Sequence, residues 1–230
     1  LAKCLLCYTR NSEIYYFEKM KIKIFVCNPF QVNTYLLYDE TGEAIFIDSG
    51  FFNETEFQEA CLFVERENLK PVALVNTHLH LDHCCGNSFV EKAWNLKAKV
   101  GGPDLFLGEN LAEQARMFRL PYSGNFNLPE IFLKENDIVS FGNTKLKVLE
   151  TPGHSPGSLS FYNAENGILF SGDVLFYQGV GRTDLPGGSY EILDNTIRNK
   201  LFLLPSNTIV FCGHGPKTTI GTEKENYSLW

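Results

Sequence analysis

The seven residues from Thr77 to His83 read Thr-His-Leu-His-Leu-Asp-His, directly after the apolar run Val-Ala-Leu-Val-Asn. His78, His80, Asp82 and His83 therefore place four metal-capable side chains within six positions at the end of a buried strand. A strand end is a rigid base, and the loop beyond it can turn successive side chains toward one point. Neutral imidazole and carboxylate together suit zinc or iron. From the chain's own His and Asp frequencies, H-x-H-x-D-H arises by chance on the order of one time in ten thousand in an otherwise ordinary composition. A solvated polar loop is a poor account of it.

The chain holds only five histidines in 230 residues. His154 lies in TPGHSPGS, just past the apolar run LKVLET, and His214 lies in CGHGP, just past TIVFC. Asp173 follows GILFSG in the same way. Each sits among glycines or prolines, where the chain turns sharply and approaches closely. All five histidines are thus candidate ligands at or beyond a strand end.

The rest of the chain supplies a frame for such a site. Alternation of Ile22, Ile24 and Val26 with Lys21, Lys23 and Phe25 predicts a strand over 21–27. Strands follow at 33–39 and 43–50, joined by Glu40-Thr41-Gly42. Phe57, Ala60, Cys61 and Val64 form one apolar stripe, predicting a helix over 54–68. Pro71 opens a buried strand ending near Thr77; a helix over 88–94 and a strand over 98–101 come next. A helix through ENLAEQARMFRL and a turn-rich loop occupy 103–130. Strands at 144–151, 158–163 and 167–173, a helix at 190–202 and a strand at 208–213 complete the pattern. Strands then helices, twice, suit two packed sheets with helices outside, a layered α/β architecture.

Composition narrows the class of partner. Hydrophobic residues make up 44 % and charged residues 20 %, as in ordinary globular chains. The formal charge of −7 lacks the basic field that nucleic-acid binders use, and disfavours anionic membranes. No run of about 18 apolar residues is present to span a bilayer. Seven cysteines without a spaced framework fit a reducing compartment, so a cytoplasmic location is expected. Cys4-x-x-Cys7 has no second pair to complete a zinc ribbon, and Cys84 and Cys85 read as small buried hydrophobes. Residues 1–19 read as an upstream extension, with a single domain over 20–230 beginning near Met20.

The ordered motifs THLHLDH, PGHSPGS, SGDVLF, GRTDLPGG and GHGP resemble the metallo-β-lactamase-fold hydrolases, and within them the glyoxalase II-like (hydroxyacylglutathione hydrolase-like) branch. The resemblance spans residues 20–222 and implies a four-layer αββα sandwich. It also implies two metal ions, zinc with iron or manganese as substitutes. His78, His80 and His154 would hold one, Asp82, His83 and His214 the other, and Asp173 would bridge them. Two such ions lower the pKa of a shared water from about 15.7 toward roughly 7. A hydroxide nucleophile then exists without a catalytic Ser or Cys, and Asp82 is expected to orient it. Asp48 resembles the family's acid that orients a ligand. Arg182 corresponds to a basic substrate contact, suited to a carboxylate, although Asp184 stands beside it where the family has tyrosine.

The implied reaction is hydrolysis of a small acyl thioester. The chain resembles the short members that lack a helical glutathione-binding extension, and Met117, Phe118, Tyr122 and Phe126 make 103–130 a candidate lid. Two other activities share the motifs. One is a persulfide dioxygenase holding a single iron through His78, His154 and Asp173; the other is lactone hydrolysis. The expected partner is a small molecule, with no nucleic acid and no membrane, and the sequence assigns no oligomeric state.

Overall fold

The computed structural model describes residues 13–122 and 126–227. One sheet has seven strands in the order β1 (Ile14–Tyr16), β2 (Lys21–Cys27), β3 (Val32–Tyr38), β4 (Glu43–Ile47), β5 (Lys70–Val75), β6 (Ala98–Gly101), β7 (Ile131–Leu133). The second has six. Its sequence members are β8 (Ile138–Phe141), β9 (Thr144–Glu150), β10 (Leu159–Asn163), β11 (Ile168–Gly172), β14 (Ile209–Cys212) and β15 (Thr218–Thr219), with β14 and β15 added beyond β11. A short hairpin joins β12 (Leu175–Phe176) to β13 (Gly179–Val180).

Both faces of each sheet are covered, and the strand sequences say why. In β3, Tyr35 and Leu37 enter the core between the sheets, while Leu36 and Tyr38 enter the core beneath the outer helices. In β11, Ile168 and Phe170 face inward and Leu169 faces outward. Continuous apolar strands of this kind need apolar partners on both sides. The first sheet is covered by α1 (Glu54–Arg66), α3 (Asn87–Trp94), α4 (Leu105–Glu109) and α5 (Leu111–Met117). The second is covered by α6 (Tyr190–Asn199) and α7 (Ile220–Asn226). The result is the αββα sandwich.

The alternation in β2 does not mark a solvent face. Lys23 is buried, with its ammonium over the rings of Phe25 and Phe63 at 5.2 and 5.3 Å. Helix α1 covers that face, and the lysine stem packs beneath it. Asn53 starts α1 by accepting the Glu56 N–H. The first sheet also begins earlier than Met20: Ile14–Tyr16 pairs antiparallel with β2, so part of the expected extension is an edge strand. Residues 1–12, including Cys4 and Cys7, lie outside the described residues.

Strand direction sets the site. β10 is antiparallel to both β9 and β11, and β11 is parallel to β14. So β9, β11 and β14 all finish at one edge of the second sheet. β5 finishes against that edge from the first sheet. There Leu159 N–H donates to the Thr77 carbonyl at 2.7 Å, and Asn33 N–H donates to the Gly213 carbonyl at 2.7 Å. Among the described residues no helix is long and apolar enough to cross a membrane.

Candidate metal centre

The loops after β5, β9, β11 and β14 carry His78–His83, His154, Asp173 and His214 to that common edge. Positions 81–84 are not loop but one helical turn, α2 (Leu81–Cys84), too short to show a helical period in sequence. The turn brings Asp82 and His83 toward the loops from the second sheet.

Three groups of donor atoms converge: His78, His80 and His154; His78, His83 and Asp173; Asp82, His83 and His214. Within each group all ligand atoms lie within 4.8 Å of one another. In the first group His154 Nε2 lies 2.9 Å from His80 Nδ1 and 3.3 Å from His78 Nε2. In the last, His214 Nε2 lies 3.2 Å from His83 Nε2 and 3.2 Å from Asp82 Oδ2. Asp173 stands between: Oδ1 is 3.3 Å from His83 Nε2, while Oδ2 is 3.7 Å from His154 Nε2 and 3.5 Å from His214 Nε2.

The far sides of the rings decide what these nitrogens carry. His154 Nδ1 donates to the Arg182 carbonyl at 2.7 Å, and His214 Nδ1 donates to the Phe30 carbonyl at 3.0 Å. His83 Nδ1 donates to Asp48 Oδ2 at 2.9 Å. Thr77 Oγ1 gives its proton to Asp48 at 2.7 Å, so at 3.0 Å it accepts from His78 Nδ1. In its neutral form each ring is thereby held with its Nε2 lone pair pointing inward. Between neutral rings, lone pairs would face one another across 3.2 Å at His83–His214 and 3.3 Å at His78–His154. They repel unless a cation lies between. Four-coordinate zinc with nitrogens at about 2.0–2.1 Å sets them roughly 3.3 Å apart. His80 Nε2 and Asp173 Oδ1 are buried without a hydrogen-bond partner. The donor set fits a pair of divalent ions.

Electrostatics separates the two halves. Burial and the neighbouring imidazoles hold His78 neutral, and burial with His154 carries His80 down to about 3. Burial alone would lower His214, but hydrogen bonds to Asp173 and Asp82 carry it up to about 9. Burial opposes ionisation of Asp173, yet the neighbouring His83 and His214 imidazoles hold its carboxyl well below the usual range. One half offers neutral nitrogens, and in the other two carboxylates favour positive charge beside them.

Other side chains identified from sequence take definite places. Asp48, at a positive φ of 56°, accepts from Thr77 N at 2.7 Å as well as from Thr77 Oγ1 and His83. Arg182 forms a two-pronged pair with Asp184, Nε and Nη2 each at 2.7 Å, so its guanidinium is already engaged. Cys84 and Cys85 are buried thiols that donate to the carbonyls of His80 and Phe51, and burial pushes both well above the usual thiol range. They are unsuited to nucleophilic work.

Asp104 had no sequence signal and proves central. Buried, it accepts from Leu79 N at 3.2 Å, Ser155 Oγ at 2.7 Å and Gly157 N at 2.6 Å. It ties the loop of His78 and His80 to that of His154. Gly213, the first residue of the GHGP motif, has a steric role that the motif does not reveal. A Cβ there would lie 2.0 Å from Asp173 Oδ1 and 2.8 Å from His83 Cε1. Gly213→Ala should lower turnover about a hundredfold by displacing Asp173, with metal content per chain as the companion measurement. Turnover within twofold of the parent would show that Asp173 tolerates the shift.

The model of the metallo-beta-lactamase superfamily matches residues 27–214, and the chain belongs to that superfamily. It is 38 % identical over 214 residues to hydroxyacylglutathione hydrolase GloC of Haemophilus influenzae, covering 90 % of this chain and 96 % of that one. Its fold matches the B3 metallo-β-lactamase BLEG-1 with a TM-score of 0.81 at 35 % identity, over 89 % of this chain and 96 % of that one. It matches TTHA1623 in a di-iron-bound form with a TM-score of 0.73 at 36 % identity, over 86 % and 94 %.

Proposed function

We propose that this metallo-hydrolase of the metallo-β-lactamase superfamily cleaves small acyl thioesters at the seam between its two sheets. The convergence of the Nε2 atoms of His78, His83, His154 and His214 around Asp173 carries the reading. The likeness to a hydroxyacylglutathione hydrolase over nearly the whole chain supports the thioester class. His78, His80 and His154 would hold one divalent ion, Asp82, His83 and His214 a second, and Asp173 faces both. Zinc follows from the sequence resemblance, and the di-iron relative makes iron the alternative. Such ions supply an ionised water at neutral pH and a positive contact for the carbonyl oxygen.

The chain's own residues have three tasks. Asp48, Thr77 and the carbonyls of Phe30 and Arg182 hold the imidazoles in one tautomer and orientation. Asp82 Oδ2, 3.2 Å from His214 Nε2, is placed to accept a hydrogen bond from the attacking water and align it. In the reaction, water adds its oxygen to the acyl carbon, the C–S bond breaks, and the thiolate leaves and takes up a proton. A thiolate departs with little acid assistance, so no further histidine is needed.

Asp82→Asn should fold normally and lose turnover about a hundredfold; near-parental turnover would remove Asp82 from this role. The reading as a whole is tested by metal content of the purified protein together with hydrolysis of lactoylglutathione and a panel of other thioesters. Two ions per chain with thioester turnover are expected. One iron per chain with oxygen uptake on a persulfide would replace the hydrolase reading with a dioxygenase.

A further inference from the structure

A cleft of 290 Å³ opens beside the first histidine group, between helices α4 and α5 and the turn at Leu185 and Pro186. Its apolar walls are Phe106, Leu107, Met117, Phe118, Leu185 and Pro186. His80 also lines it, while the same ring presents Nδ1 to His154 at 2.9 Å. A molecule in the cleft therefore ends at the ligand group.

Several polar groups of the wall are engaged with the protein itself. Gln114 Oε1 accepts from Leu81 N at 2.9 Å, and its Nε2 donates to the Leu107 carbonyl at 2.9 Å. Asn110 Nδ2 donates to the Phe106 carbonyl at 2.7 Å. Glu113 pairs with Arg116 on the exposed side of α5. No Lys or Arg lines the cleft among the described residues, and the Arg182 guanidinium is held by Asp184.

We propose that this cleft takes the acyl chain of the substrate, as an unbranched aliphatic group, and not the thiol carrier; the proposal rests on the thioester reading above. Biological thiol carriers are polar and mostly anionic, and this wall offers them no cation and one carboxylate. An aliphatic chain gains by leaving water against six apolar side chains. The volume of 290 Å³ holds about nine water-sized groups, which admits a chain up to about octanoyl length. Met117, Phe118 and Leu185 are then the residues that set chain length. Helices α4 and α5 contribute as a wall: Leu107, Leu111 and Ala115 anchor them in the core, and Phe118 packs edge-on against Phe30, whose carbonyl holds His214.

The test measures binding and turnover separately, on the protein as purified. Ethyl, butyl, hexyl and octyl thioethers of N-acetylcysteamine serve as inert probes, read by calorimetry. The acetyl, butanoyl, hexanoyl and octanoyl thioesters of the same thiol are the substrates. Affinity of the thioethers should rise up to about fourfold per methylene until the cleft is full. Met117→Trp, at the mouth, and Leu185→Ser, in the wall, should each cut the octyl-to-ethyl affinity ratio about tenfold. Affinity that is flat across the series, or a ratio unchanged in both variants, overturns the assignment. Graded binding without turnover of any thioester supports the cleft and removes the thioester reading. Turnover with flat binding does the reverse.

Discussion

Asp173→Ala should lower turnover at least about a thousandfold, the largest loss expected from any single substitution here. Asp173 is the one side chain whose two oxygens reach both halves of the site, with Oδ1 toward His83 and Oδ2 toward His154 and His214. Removing it separates two ligand groups that otherwise share an anion. It also removes one of the carboxylates that face His83 and His214. Metal content should fall from two ions per chain toward one or none, measured by elemental analysis beside kcat/KM. A variant that retains two ions and parental turnover would show that the paired site does not depend on a shared carboxylate.

The second large effect is expected at Asp48, and it falls on stability as well as on metal affinity. Asp48 is fully buried and holds Thr77 twice and His83 once. Asp48→Ala should destabilise the fold by about 3–5 kcal/mol, because it strands a buried imidazole and a backbone N–H. Asp48 also has a positive φ of 56°, a conformation alanine adopts less readily than Asp or Asn. Asp48→Asn separates the contributions. It keeps the backbone conformation and part of the hydrogen bonding, so stability should fall less while metal affinity drops about 10- to 100-fold. Urea unfolding and competition with a chelator measure the two quantities. Equal metal affinity in parent and Asp48→Asn would assign Asp48 to the fold alone.

The elements legible in sequence were those with a full period. α1, β5, β9, β11 and β14 lie where the apolar patterns place them, within a few residues at each end. The pieces that were not legible are short or have both faces covered. Ile14–Tyr16, Ile131–Leu133 and Ile138–Phe141 are edge strands of three or four residues, and Leu81–Cys84 is a single turn. The burial of Lys23 is not legible in the strand pattern because its cover, α1, comes from a distant part of the chain. Asp104 carries no motif and Gly213 sits in GHGP without its role being visible, since their importance lies in which loops they touch.

Arg182 shows the same limit from the other side. As a residue type it suits a substrate carboxylate, yet its guanidinium is engaged by Asp184, and its contribution to the site is a backbone carbonyl on His154. A carbonyl has no residue identity, so no sequence pattern can announce it. Phe30 acts through its carbonyl in the same way on His214.

The chain by itself determined its chemistry: five histidines and two aspartates of ligating type, each set at or just beyond a strand end. Strand order and direction are tertiary properties. Only they bring the ends of β9, β11 and β14 to one edge and lay β5 against it. Only the packed loops fix which nitrogen of each ring faces inward, because the partners that take the outer proton come from Phe30, Asp48, Thr77 and Arg182, mostly remote in sequence. Ligand type is a local property of the residue. Tautomer, distance and the apolar cleft beside them belong to the contacts.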